Sequence, residues 1–132
     1  HGTSHQYVHT VQTMGLDPRY CNGGLFGYAN YYALNFSKSD CYTTPDSNGN
    51  RTVFLFQVNI GHFSTMSSDC KTSRHAGACN EGFFDSAIAT TRKNGGCVDY
   101  PEVVVYEPGM SMPRYKIVYT HKKGCLCTHC DK

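Results

Sequence analysis

Three short pieces of this chain carry residue types suited to chemistry on a flat, charged ligand. His1-Gly2-Thr3 sets an imidazole beside a glycine. Gly23-Gly24-Leu25-Phe26-Gly27 runs into Tyr31-Tyr32-Ala33 and then Ser37-Lys38-Ser39-Asp40-Cys41-Tyr42, which brings phenol rings and a serine hydroxyl. Pro101-Glu102-Val103-Val104-Val105-Tyr106 puts one carboxylate at the head of an apolar run. His1, Tyr31 and Glu102 follow one another about thirty and then about seventy residues apart. A carboxylate fixed beside a reacting centre stabilises positive charge as it forms. An aromatic face gains ~0.5–2 kcal/mol against a flat cationic ring when partly desolvated. Glycine lets backbone approach a ligand where a Cβ would clash.

These residues need elements to hold them. Ser4 to Met14 reads as a helix, with Ser4 as N-cap, Tyr7, Val8 and Val11 at helical spacing, and Gly15 as the stop. Asp17 to Gly27, with its Pro, Asn and glycines, reads as a loop. Asn30 to Ala33 suits a short strand, Asn35 to Tyr42 a helical turn, and Thr43 to Arg51 a turn. Thr52 to Ile60 is the clearest strand: Phe54, Phe56, Val58 and Ile60 on one face, Val53, Leu55, Gln57 and Asn59 on the other. Ser64 to Gly82 reads as a loop stapled by cysteines, and Thr90 to Cys97 as a second loop. Glu102 to Tyr106 and Tyr115 to Thr120 read as strands joined across Glu107-Pro108-Gly109. His121 to Lys132 is a cysteine-rich tail. The expected class is α+β with few helices.

The chain has 132 residues, one domain by length, enough to cover ~65–70% of the unfolded surface on folding. A net charge of +2 does not by itself argue for nucleic acid or membrane. No run of apolar residues is long enough to span a bilayer. No basic and apolar leader opens the chain, so the reading is that any secretory signal has been removed. Eight cysteines, an even count, point to disulfides and an extracellular setting. The sequons Asn35-Phe36-Ser37 and Asn50-Arg51-Thr52 agree. His121, Cys125, Cys127, His129 and Cys130 are of zinc-ligand type, but the even count favours disulfides.

In this order, the pieces resemble the His–Tyr–Glu signature of the poly(ADP-ribose) polymerase family, the diphtheria-toxin-like ADP-ribosyltransferases. The look is closest to the tankyrase-like branch. Gly15-Leu16-Asp17-Pro18-Arg19, Phe26 to Ala33, Val58-Asn59-Ile60-Gly61, Asp85-Ser86-Ala87-Ile88 and Pro113 to Tyr119 resemble further family segments. The resemblance implies two small antiparallel sheets and a cleft for NAD⁺. It implies that His1 bonds the adenosine-side ribose and that Gly2, with Thr3 beside it, binds the nicotinamide amide through backbone. Tyr31 lines the nicotinamide pocket, Tyr42 stacks on the ring and Ser39 bonds the carboxamide. Glu102 accepts from the nicotinamide ribose. Asp17 and Tyr20 lie toward adenine. His1, Tyr31 and Glu102 are the catalytic set.

The chain also departs from the pattern. Ala29 stands for a glycine and Asn30 for an apolar residue at the turn. Thr43 to Arg51 has no cysteine, so the zinc site of tankyrase-like proteins is expected to be absent. The regulatory helical domain often found ahead of the histidine is not expected to gate this site. The resulting expectation is a monomeric, secreted, toxin-like transferase. It would use NAD⁺ as substrate, need no metal or membrane, and pass single ADP-ribose units to a protein or nucleic-acid acceptor. The alternatives are an NAD glycohydrolase, a non-catalytic NAD or ADP-ribose module, and a copper monooxygenase built on His1 with His5, His9 or His62 and a tyrosine.

Overall fold

The computed structural model describes residues 1–68, 84–122 and 125. Phe26, Ala29, Ala87, Ala89, Val98, Val104 and Tyr106 form its buried core, with Leu25, Tyr31, Met66 and Cys97 packed against it. The strands are β1 (Asn30–Ala33), β2 (Arg51–Val58), β3 (Phe63–Met66), β4 (Ser86–Ala89), β5 (Glu102–Val105) and β6 (Ser111–Tyr119). The α-helices are α1 (Val8–Met14) and α2 (Phe36–Asp40). Among the described residues the α+β class and the two small sheets stand as expected.

The first sheet has the order β1-β5-β4-β3 and the second pairs β2 with β6. The sheets are not both antiparallel. β3 runs parallel to β4, with Phe63 opposite Ser86 and Met66 opposite Ala89, so the two do not form a hairpin. β3 also replaces the start of the loop expected from Ser64 to Gly82; residues 69–83, with Cys70 and Cys79, lie outside the described residues. Its polar alternation gave no strand signal, since β3 is an edge with a half-exposed face. β4 is alanine-rich and forms because its sides are paired and its faces covered, not from propensity.

Other boundaries moved. The helix expected from Ser4 to Met14 is a 3₁₀ turn, His5–Tyr7, followed by α1, and Ser4 does not cap it: its hydroxyl bonds Thr44 Oγ1. The Asp17–Gly27 loop contains a 3₁₀ turn at Pro18–Tyr20. The strand expected to end at Ile60 ends at Val58, with Phe54 buried and Leu55 exposed as the alternation requires. β6 is longer than Tyr115 to Thr120, and a bulge opposite Leu55 and Phe56 lets Pro113 and Arg114 into it. β5 and β6 do not pair; the Glu107-Pro108-Gly109 link carries the chain from one sheet to the other.

The disulfide staple is not formed among the described residues. Cys21, Cys97 and Cys125 are thiols there, and Cys41 Sγ donates to the Ser37 carbonyl. An even count states what could pair; geometry decides what does. Cys127 and Cys130 lie outside the described residues. No helix among the described residues is long and apolar enough to cross a membrane.

Phe26 is fully buried and its carbonyl accepts from the buried Tyr106 hydroxyl at 3.3 Å. Phe26→Ala is expected to cost ~3–5 kcal/mol in urea unfolding, while Leu55→Ala on the exposed face stays within ~0.5 kcal/mol of the parent.

Candidate active site

The site is built where the edge of the second sheet meets β1 of the first. Gly2 bridges to Val53 of β2. The His1 backbone nitrogen donates to the Phe54 carbonyl at 2.9 Å, and Phe54 N–H donates back to the His1 carbonyl at 2.8 Å. His1 Nδ1–H donates to the Tyr31 carbonyl at 2.8 Å. A carbonyl can only accept, so the neutral ring carries its free lone pair on Nε2, an acceptor for a hydroxyl. The ring packs edge-on to Phe56 and tilted to Tyr32. The copper reading needs the terminal nitrogen and Nδ1 together, and both are bound to carbonyls.

Gly2 is glycine for a steric reason. A Cβ there would stand 1.8 Å from the Ser39 carbonyl oxygen. Ser39 is itself buried, in α2. The close approach therefore sets His1-Gly2 against α2.

Glu102 begins β5 and is buried. It stands directly between Ala33 of β1 and Ala89 of β4, and residues opposite one another share a face. On that face its neighbours are two methyl groups. Lys38 Nζ pairs with Glu102 Oε1 at 2.9 Å. Burial opposes the ammonium charge, but the carboxylate outweighs it and holds Lys38 above its ordinary pKa. The same ammonium lies 5.6 Å from the centre of the Tyr42 ring. Lys38 and Tyr42 are four residues apart, the spacing that brings helical side chains together.

Tyr31 is half-buried, and its phenol is clasped by the glycine-rich turn. Phe26 N–H donates to its oxygen at 2.9 Å, and the hydroxyl donates to the Gly27 carbonyl at 2.8 Å. Burial pushes the phenol well above its usual pKa, so it keeps the proton it donates. A side chain at Gly24 would meet this ring, 2.6 Å from Cζ.

Asp17 and Tyr20 lie at the two ends of the Pro18–Tyr20 turn. Asp17 caps the Pro18–Tyr20 turn and pairs with Arg19, which holds its carboxyl below the usual range. Tyr20 is 82% exposed. The structure brings together His1, Gly2, Tyr31, Ser39, Tyr42 and Glu102, with Thr3 buried alongside Gly2. Sequence reasoning gave Lys38 no role; its four-residue offset from Tyr42 was the available signal.

A family model for the poly(ADP-ribose) polymerase catalytic domain matches residues 1–123. The chain belongs to the poly(ADP-ribose) polymerase catalytic-domain family. It is also 28% identical over 122 residues to the protein mono-ADP-ribosyltransferase PARP10 of Mus musculus. That match covers 89% of this chain and 12% of the relative. NAD⁺ is the substrate of poly(ADP-ribose) polymerase-type enzymes, and no group of three potential metal ligands occurs among the described residues.

Removing Lys38 leaves the buried Glu102 carboxylate without its cation. Lys38→Met is expected to destabilise the fold by ~1–3 kcal/mol at neutral pH, below a fully buried pair because Lys38 is partly exposed. Urea titration of the double variant Lys38→Met, Glu102→Gln should recover most of that loss. A double variant as unstable as the single one would show that the pair is not the cause.

Proposed function

We propose that this chain is the catalytic domain of an ADP-ribosyltransferase that binds NAD⁺, releases nicotinamide and transfers single ADP-ribose units to a macromolecular acceptor. The observation that carries it is Glu102: a buried carboxylate, flanked by two alanines and fixed by Lys38, in a chain of this family. Breaking the nicotinamide–ribose bond develops positive charge on the ribose. A carboxylate held in advance stabilises that charge without reorganising. His1 Nε2 is the acceptor for a ribose hydroxyl. The Gly2 backbone and Ser39 take the carboxamide, and Tyr31 and Tyr42 supply the aromatic walls.

Single transfer is favoured by the short turn from Thr43 to Arg51, which offers little surface to a growing polymer. The mouse relative, named a mono-ADP-ribosyltransferase, agrees. The acceptor is a protein or nucleic acid. Hydrolysis to free ADP-ribose is the outcome when water replaces a poorly held acceptor, and mass analysis of the products separates the two. The proposal includes a monomeric, extracellular protein, supported by its two sequons. Of the sequons, Asn35 uses its Oδ1 to cap α2, and Asn50 Nδ2 donates to Asp46. Failure of the chain to pass through a secretory host, with both sequons left unglycosylated, would remove the extracellular placement.

The wild-type chain is expected to melt at a higher temperature with benzamide or NAD⁺, since a ligand of the folded state stabilises it by mass action. Glu102→Gln keeps shape and loses charge. Turnover should fall on the order of 10²–10³-fold with NAD⁺ affinity nearly unchanged. Tyr42→Ala should mainly weaken binding, because stacking is present in the ground state too. Glu107→Gln, past the end of β5, should behave as wild type. Full turnover in Glu102→Gln would refute the assignment.

A further inference from the structure

α2 is too short to hold itself in place. Its five residues close little more than one turn, and an isolated helix of that length does not form in water. Yet it presents Lys38 to Glu102, sets Ser39 against Gly2 and leads into Tyr42. Its first end is capped by Asn35, whose Oδ1 accepts from Ser37 N–H at 2.8 Å.

The other end is held by a buried polar cluster outside the sites named so far. Asp40, the last residue of α2, is only 7% exposed. Its carboxylate accepts from the Tyr119 hydroxyl and, at 3.0 Å, from His121 Nε2–H. Tyr119 ends β6, and its ring packs edge-on against Phe36 at 5.0 Å, so one strand end touches both ends of the helix. Thr43 Oγ1 donates to the Asp40 carbonyl at 2.9 Å. Buried Arg51 of β2 donates to the Thr43 carbonyl at 2.8 Å and to Thr43 Oγ1 at 3.1 Å. Burial alone would raise the Asp40 carboxyl, but the Tyr119 and His121 donors hold it below its ordinary pKa, ionised at neutral pH.

Residues two apart on a helix do not face the same way. Lys38 reaches Glu102 in the first sheet, while Asp40 reaches Tyr119 and His121 at the end of the second. We propose that Asp40, gripped by Tyr119 and His121, is a positioning residue: it makes α2 a strut between the sheets and so fixes where Lys38, Ser39 and Tyr42 stand relative to Glu102. The consequence for turnover rests on the ADP-ribosyltransferase reading; the strut itself does not.

The test uses the full chain and the variants Asp40→Ala, Asp40→Asn and Tyr119→Phe. Asparagine keeps a side-chain carbonyl of the same shape to accept from Tyr119. Phenylalanine removes the hydroxyl and leaves the ring on Phe36. Amide exchange at Ser39, Cys41 and Tyr42 is expected to speed by at least about ten-fold in Asp40→Ala, while β2 and β5 amides keep their protection. In the same variant KM for NAD⁺ should rise and kcat should fall, each on the order of ten-fold, because binding and reacting groups both ride on α2. Asp40→Asn should restore most of both, and Tyr119→Phe should fall between. Exchange that speeds equally across α2, β2 and β5 would overturn the proposal. So would protected α2 amides in Asp40→Ala, or a loss of activity that only follows the unfolded fraction, with KM unchanged and the folded molecules as active as wild type. If the wild-type chain neither turns over NAD⁺ nor binds benzamide, the function assigned above fails, and the exchange measurement still decides the strut.

Discussion

No side chain fits at position 2. With the Ser39 carbonyl 1.8 Å from where a Cβ would stand, the backbone of Gly2 and that of α2 touch directly. That contact places His1 in the seam between the sheets, its main chain on β2 and its imidazole on the Tyr31 carbonyl of β1. A larger residue would push α2 outward, and with it the partner of Glu102. The spacing of the whole site is thus set by a steric limit near the start of the sequence.

Burying Glu102 opposes folding unless a cation comes with it. Lys38 supplies that cation from a helix that could not form alone, so the charge that suits the site to its ligand is balanced by a contact of the scaffold. The alanines on either side complete the arrangement. Ala33 and Ala89 flank the carboxylate with methyl groups that do not compete for its lone pairs. In the proposed reaction such a group would meet developing positive charge already desolvated and oriented, which is when electrostatic stabilisation is largest.

The sequence made some of this legible and hid the rest for physical reasons. β1 was readable to the residue, because Asn30-Tyr31-Tyr32-Ala33 is aromatic and bounded by turn residues. From Phe54 onward the more covered face of β2 followed from period-two alternation, Phe54, Phe56 and Val58 being less exposed than Leu55 and Gln57. β3 and β4 were not legible as strands: one is polar at an edge, the other is built of small residues whose strand state depends on neighbours. Order along the chain singled out His1, Tyr31 and Glu102 as candidates, since a motif carries its own spacing. Asp40 was invisible as a structural residue, because its donors lie about eighty positions away and nothing local marks their arrival. The cysteines misled in the opposite sense: a number divisible by two is a property of composition, and Cys21, Cys97 and Cys125 remain thiols.

The bulge in β6 bears on how this molecule behaves in a crowd. β6 is an edge strand among the described residues, and Met112, Tyr115, Ile117 and Val118 along it are more than two-fifths exposed. Such a strand would recruit another chain by backbone pairing and lead to aggregates. Pro113 offers no N–H at one point of that ladder, and the kink at the bulge turns the strand away from a flat template. Arg114 and Lys116 then place cations between the apolar side chains. The irregularity that looks like a flaw in the sheet serves as a gatekeeper for colloidal stability.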